Sequence, residues 1–296
     1  MAIRKIIVGV DFTPGSELAA HRAAELAAQV GAELVLVHAA TIPEHPAVPD
    51  SIRPAADRMI QVLQDRLADD RRGLADLRER LTSEGITVSQ LIVDRFPDDA
   101  LVEAASELHA DLVVTGSRHR TGLRRWLLGS VAEHVVRAAP VPVLVALPGD
   151  PDRGFERIVV GTDFSEPSTH ALAQAVELAR PGAVIDLVHC FQMSLLAPDV
   201  VPGLGTVYQE VLDTLTKDAH DKAAAQMAAH AGAPVTIRFT FVEAPPREGL
   251  CDFAEHHQAD LLAVASHGRR GVRRLILGSV AEATVRHAPC SVLVVR

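Results

Sequence analysis

Residues 122–133 read Gly-Leu-Arg-Arg-Trp-Leu-Leu-Gly-Ser-Val-Ala-Glu, and residues 271–282 read Gly-Val-Arg-Arg-Leu-Ile-Leu-Gly-Ser-Val-Ala-Glu. The phrase recurs at an offset of about 150 residues, half of the chain and about one domain length. Each copy follows an apolar run and a glycine-containing turn, and each contains Gly-Ser where a helix is expected to begin. A strand, a glycine turn and a helix N-terminus are how a parallel α/β sheet builds a phosphate site. The repeat therefore predicts two fused copies of one nucleotide-binding type of domain.

The surrounding sequence supports the duplication. The first half opens with Ile6-Ile7-Val8-Gly9-Val10-Asp11, a buried-strand pattern ending in an acid. Thr13-Pro14-Gly15-Ser16 then starts a helix over 17–30, which Gly31 stops, and 33–38 is a second strand ending in His38. The second half repeats the order with Ile158-Val159-Val160-Gly161-Thr162-Asp163, a helix to about residue 180, and a strand over 184–189 ending in His189. A long helix follows in each half, over 55–84 and 207–231. The first is highly charged, with Leu63, Leu67, Leu74, Leu77 and Leu81 near heptad spacing, a stripe suited to packing on a sheet or another helix. Strands over 87–93 and 235–242, helices over 98–108 and 247–257, and strands over 111–115 and 260–264 lead to the glycine motifs. Last strands lie over 141–146 and 291–295. Alternation at this spacing means parallel crossovers and an open, doubly wound α/β sheet of about five strands in each half. The expected domains are 1–148 and 155–296, joined by a Pro/Gly/Asp linker over 148–154.

Composition narrows the function classes. A formal net charge of −9 argues against nucleic acid as the main partner. No run of about 18 apolar residues predicts a membrane span, and no signal-peptide pattern precedes the first strand. Aromatic residues make up only 3% of the chain, so both cores must be built from Ala, Val, Leu and Ile. Cys190, Cys251 and Cys290 are read as reduced, partly buried thiols of a cytoplasmic protein.

The glycine regions carry the chemistry. Gly116-Ser117-Arg118-His119 is followed after nine residues by Gly129-Ser130, and Ala265-Ser266-His267-Gly268 after nine residues by Gly278-Ser279. Unpaired first-turn N–H groups at Gly129-Ser130 and Gly278-Ser279 would face an anion, and the serine hydroxyls would add a donor or cap their helices. Arg118, Arg120, Arg124, Arg125, Arg269, Arg270, Arg273 and Arg274 would screen a polyphosphate or form a solvated face. Asp11 and Asp163 either meet a ligand or cap the following turn. His38 and His189 are expected to pack at strand ends, and Glu255-His256-His257 to be a solvated helix end. Residues 195–204 are read as a buried connection or cover before a partner patch. There is no Walker A lysine motif, Gly-x-Gly-x-x-Gly after a strand, or Gly-x-Ser-x-Gly elbow.

Gly-x-x-Gly-x9-Gly-Ser, with Thr162-Asp163-Phe164-Ser165 and Leu277-Gly278-Ser279-Val280-Ala281-Glu282, resembles the universal stress protein family over nearly the whole chain, as a tandem member. The resemblance implies adenine nucleotide alpha hydrolase-like domains. It also implies a cytoplasmic stress-response regulator that binds ATP, with magnesium as a companion ion. By the same resemblance Asp11 and Asp163 lie near adenosine, the backbone at Ala39 and Cys190 meets adenine, and Gly116, Gly129, Ser130, Gly268, Gly278 and Ser279 hold ribose and phosphates. It further implies pairing of the last strands as an internal pseudo-dimer, and a homodimer is a further expectation. Each half departs from the motif once: His119 replaces the second glycine and Ala265 the first. A methyl group at a strand end is the milder change, so the second half is expected to bind ATP better. Slow ATP hydrolysis or nucleotidyl transfer, and a nucleotide-free interaction module, stay open as alternatives.

Overall fold

The structure, a computed structural model, describes residues 2–40, 48–82, 85–117, 129–148, 154–192, 204–268 and 277–296. These fall into two compact units, one holding the described residues up to 148 and the other those from 154 onward.

The first unit runs β1 (Lys5–Gly9), α1 (Pro14–Val30), β2 (Glu33–Ala39), α2 (Arg53–Thr82), β3 (Val88–Val93), α3 (Pro97–Glu107), β4 (Leu112–Gly116), α4 (Ser130–Ala138) and β5 (Val143–Ala146). Its strand order is β3-β2-β1-β4-β5, and every pairing is parallel. The second unit runs β6 (Phe155–Gly161), α5 (Glu166–Leu178), β7 (Ala179–Phe191), α6 (Leu204–Ala228), β8 (Thr236–Glu243), α7 (Pro246–His256), β9 (Leu261–Ala265), α8 (Ser279–His287) and β10 (Ser291–Val295). Its order, β8-β7-β6-β9-β10, is again parallel throughout. Both sheets are the doubly wound α/β type that the alternation predicts.

Parallel strands need crossovers, and helices on both faces bury the sheet. Ile6, Ile7 and Val8 of β1 and Leu112, Val113 and Val114 of β4 are accordingly solvent-free on both faces. Ala19, Ala20, Ala23, Ala24 and Ala27 give α1 a small-residue face that approaches the sheet closely. Thr13 caps α1 by accepting from the Ser16 N–H, and Gly31 ends it in the left-handed region at φ 71°. On α2, Leu67, Leu74, Leu77 and Leu81 are buried against the β2–β3 side of the sheet, so the leucine stripe is a packing face. All three cysteines are free and buried.

The structure corrects one boundary. The helix expected to reach residue 180 ends at Leu178, and β7 takes over from Ala179 to Phe191. Pro181 disfavours helical backbone at Arg180, and Gly182 adopts φ 88°. Residues 41–47, 83–84, 118–128, 149–153, 193–203 and 269–276 lie outside the described residues. With them lie the arginines of both motifs, His119, the linker and most of the apolar 195–204 segment.

One carboxylate starts the sheet in each unit. Asp111 Oδ2 accepts from the N–H groups of Arg4 (2.8 Å) and Lys5 (3.0 Å), and Asp260 Oδ2 accepts from those of Glu156 (2.7 Å) and Arg157 (2.9 Å). Each acid precedes the fourth strand of its unit and pins the start of the first. Asp111→Ala is expected to cost about 1–2 kcal/mol through two lost charge-assisted bonds. The measurement is urea denaturation of the first unit's transition; an unchanged midpoint would show that water replaces the carboxylate.

Candidate functional site

The winding reverses between β1 and β4, and between β6 and β9, so a crevice opens at the carboxyl ends of those strands. The turn leaving the first strand is the same in both units. Asp11 Oδ1 accepts from the Thr13 N–H (3.1 Å) and hydroxyl (2.6 Å), and Asp163 Oδ1 accepts from the Ser165 N–H (3.1 Å) and hydroxyl (2.5 Å). Both aspartates therefore cap their turns with one oxygen. Between acid and hydroxyl sit Phe12 and Phe164, non-glycine residues at φ 58° and 61°. Left-handed backbone costs such a residue roughly 1–2 kcal/mol. The phenyl ring offsets this by packing on the strand-two histidine, with centroids 5.1 Å apart for Phe12–His38 and 4.7 Å for Phe164–His189. The histidine in turn donates from Nδ1 to the carbonyl of Val10 or Thr162, at 2.7 Å in each case. A carbonyl only accepts, which settles the tautomer at Nδ1. His38 Nε2 lies 3.3 Å from Asp70 Oδ2 on α2.

The helices α4 and α8 begin at the crevice. Gly129 and Gly278 are the cap residues, in extended backbone, and Ser130 and Ser279 are the first helical residues. Neither helix has a side-chain cap bond, so the serines do not cap, contrary to that part of the expectation. A first-turn hydroxyl on helical backbone is poorly placed to reach its own helix's leading N–H groups.

The crevice of the second unit is a cavity of about 750 Å³, lined by Asp163, Cys190, Gly268, Gly278 and Ser279 together with Pro246 and Leu250. The matching cavity of the first unit is about 150 Å³; Asp11, Ala39, Gly116 and Gly129 line it and Ser130 does not. The two units also differ in main-chain packing beside the crevice. A Cβ on Gly116 would stand 2.3 Å from the Gly15 carbonyl oxygen, and one on Gly15 would stand 2.4 Å from the Ser117 carbonyl oxygen. Two bare backbones thus touch where α1 meets the end of β4. In the second unit the corresponding residues are Ala265 and Pro167, whose side-chain carbons forbid that approach. His119, the other departure from the motif, lies outside the described residues.

The universal stress protein family matches residues 2–146 and again residues 154–296. The chain belongs to the universal stress protein family. A universal stress protein of Mycobacterium tuberculosis is 30% identical, over 98% of this chain and 96% of its own length. One from Methanocaldococcus jannaschii is 31% identical over 48% of this chain and 82% of its own, matching half of the tandem. The crystal structure of a universal stress protein from Archaeoglobus fulgidus shares the fold, with a TM-score of 0.68 at 19% identity, covering 99% of this chain and 98% of that one.

This tandem universal stress protein has site features that its sequence did not disclose. Leu101 and Leu250 rest on Gly9 and Gly161 beneath the crevices, where an added Cβ would meet the leucine at 2.8 and 2.7 Å. The leucines recur at matching places after Pro97 and Pro246, a signal available from the repeat. Thr162, Ser168 and Gln226 form a buried polar cluster beside the second crevice. Val10 stands in the place of Thr162 in the first unit. Among the described residues, no group of three or more His, Cys, Asp or Glu side chains could hold a metal ion. His256 and His257 are exposed, and His257 stacks on Phe253 at 3.8 Å.

Burial, with Cys251 adding to it, pushes the Cys190 thiol up to about 11; burial also raises Cys290. A raised thiol pKa leaves the neutral, unreactive form in place until the pH approaches that value. At pH 8 the folded protein is expected to release less than about one equivalent of thionitrobenzoate from a disulfide reagent, and three in urea. Rapid labelling of Cys190 in the folded protein at pH 8 would contradict this.

Proposed function

We propose that the second unit binds ATP and that this universal stress protein acts in the stress response through occupancy of that one crevice. The observation that carries the reading is the 750 Å³ cavity at the winding reversal, with the opening turn of α8 among its walls. Ligand cavities span about 300–1,000 Å³, a range the second crevice falls in and the first, at 150 Å³, does not. Contrary to the expectation of an unpaired N–H there, Gly278 donates to the Ser266 carbonyl at 2.7 Å, so the first-turn N–H groups from Ser279 onward and the positive dipole end of α8 are what phosphate would meet. Pro246, Leu250, Val188 and Val264 give the base an apolar slot.

In this reading Asp163 meets the adenosine, the Cys190 backbone meets adenine, and Gly268, Gly278 and Ser279 hold ribose and phosphates, with magnesium on the phosphates. Asp11, Ala39, Gly116, Gly129 and Ser130 occupy the corresponding places in the first unit without room for a nucleotide. The internal pseudo-dimer, a homodimer, the domain limits 1–148 and 155–296, and the cytoplasm as the place of action belong to the same proposal. Among the described residues no helix is long and apolar enough to cross a membrane.

Mass spectrometry of nucleotide released from the denatured, freshly purified protein tests the occupant and its stoichiometry, expected at about one adenine nucleotide per chain. In calorimetry, Asp163→Ala is expected to weaken ATP about tenfold or more, the loss of one charge-assisted hydrogen bond. Asp11→Ala is expected to leave the affinity unchanged. Equal losses from both variants would overturn the one-crevice reading, and the absence of any binding to the unmodified protein would overturn the function.

A further inference from the structure

The long helices α2 and α6 are held to their units by different means. Ile60, Leu67, Leu74, Leu77 and Leu81 of α2 are buried. On α6, among the described side chains, Ala219, Ala223 and Gln226 are buried and Leu212, Leu215 and Met227 half-buried, while Val207 and Val211 are 55% and 39% exposed. Few buried apolar contacts mark an element of low local stability. Tyr208 bonds Glu243 and His220 meets Phe239 with centroids 4.9 Å apart, and Gln226 is the buried polar side chain that adds to these ties.

Gln226 reaches the wall of the second crevice. Its Nε2 donates to Thr169 Oγ1 at 2.6 Å, and its Oε1 accepts from Thr162 Oγ1 at 3.0 Å. Thr169 gives its hydroxyl proton to the Ser165 carbonyl (3.2 Å), so its oxygen accepts. Thr162 and Ser168 both line the cavity, and their hydroxyl oxygens lie 3.1 Å apart. Ser168 donates its own proton to the Ser165 carbonyl at 2.8 Å. Thr162 also accepts the Phe164 N–H at 3.0 Å. The single Thr162 proton thus has two acceptors, Gln226 Oε1 and Ser168 Oγ. If it turns to Ser168, a buried amide oxygen is left unpaired, which is costly.

We propose that Gln226 couples occupancy of the second crevice to the order of α6. This rests on the reading of that crevice as the ATP site. A nucleotide brings hydroxyl donors on its ribose. A hydroxyl donating to Ser168 Oγ occupies the competing acceptor, so the Thr162 proton stays on Gln226 and α6 is held. The first unit has Val10 where Thr162 stands, which removes the hydroxyl that the relay needs. Gln226 does not line the cavity; it is a positioning residue that acts through Thr162 and Thr169.

Hydrogen exchange of peptides from 204–228, measured with and without ATP and magnesium, tests the coupling, with calorimetry on the same samples. In the unmodified protein ATP is expected to slow α6 exchange about fivefold or more. Gln226→Met keeps the volume and removes both bonds. It is expected to bind ATP with α6 exchange indifferent to the ligand. Should that variant fail to fold, Thr169→Val removes the Nε2 bond and the Thr169–Ser165 hydroxyl bond but keeps the Oε1 bond to Thr162, and is expected to shrink the response. ATP binding without any change in α6, or an undiminished response in the variants, would overturn the coupling and leave the ATP site standing. Failure of the unmodified protein to bind ATP would overturn both.

Discussion

A parallel sheet covered on both faces by helices opens to a ligand at its strand ends, and in each unit the change of winding direction decides where. Helices leave the first and fourth strands toward opposite faces and part at that point. Everything at the site follows from this geometry: the acid that ends the first strand, the glycine turn that ends the fourth, and the helix whose first turn faces the gap. The strand-two histidine stabilises the edge of the gap by bonding to the carbonyl before the acid, at 2.7 Å in both units. Its partner ring, Phe12 or Phe164, sits in left-handed backbone that the aspartate and the next hydroxyl hold in place. The same small machine is built twice.

The two copies have diverged in what fills the gap. In the first, glycine on glycine lets α1 settle onto the end of β4, beside a cavity of about 150 Å³. In the second, Ala265 and Pro167 hold the elements apart. The polar anchors of the long helices have diverged too, with Asp70 meeting His38 on one side and Gln226 meeting Thr162 and Thr169 on the other.

The architecture was readable because its signals are local and repeated. Short apolar runs bounded by Gly, Pro, Asp and Ser mark the strands. Thr13 and Ser165 mark helix starts, and the Gly-Ser pairs mark α4 and α8. The candidate residues Asp11, Asp163, Gly116, Gly129 and Gly278 stand at strand ends and helix starts, and Gly268 in the turn after β9, and all line the two crevices. The features that stayed hidden depend on distance in space. Gly15 reads as an ordinary turn residue, and nothing in its neighbourhood announces that Gly116 will lie against it. Gln226 stands among the alanines of a polar helix, and its partners Thr162 and Thr169 are far away in the chain. The left-handed Phe12 and Phe164 are bulky residues to which no local rule assigns that backbone. The end of α5 at Leu178 was within reach, since Pro181 and Gly182 follow it directly.

The Gly15–Gly116 contact also bears on what holds each copy together. A pocket that waits for its ligand gains stability only when that ligand is abundant. Main chain packed on main chain, as at Gly15–Gly116, needs no ligand to hold it. Duplication has thus left two copies of one fold with different residues at the same seam, bare backbone in one and side-chain carbon in the other.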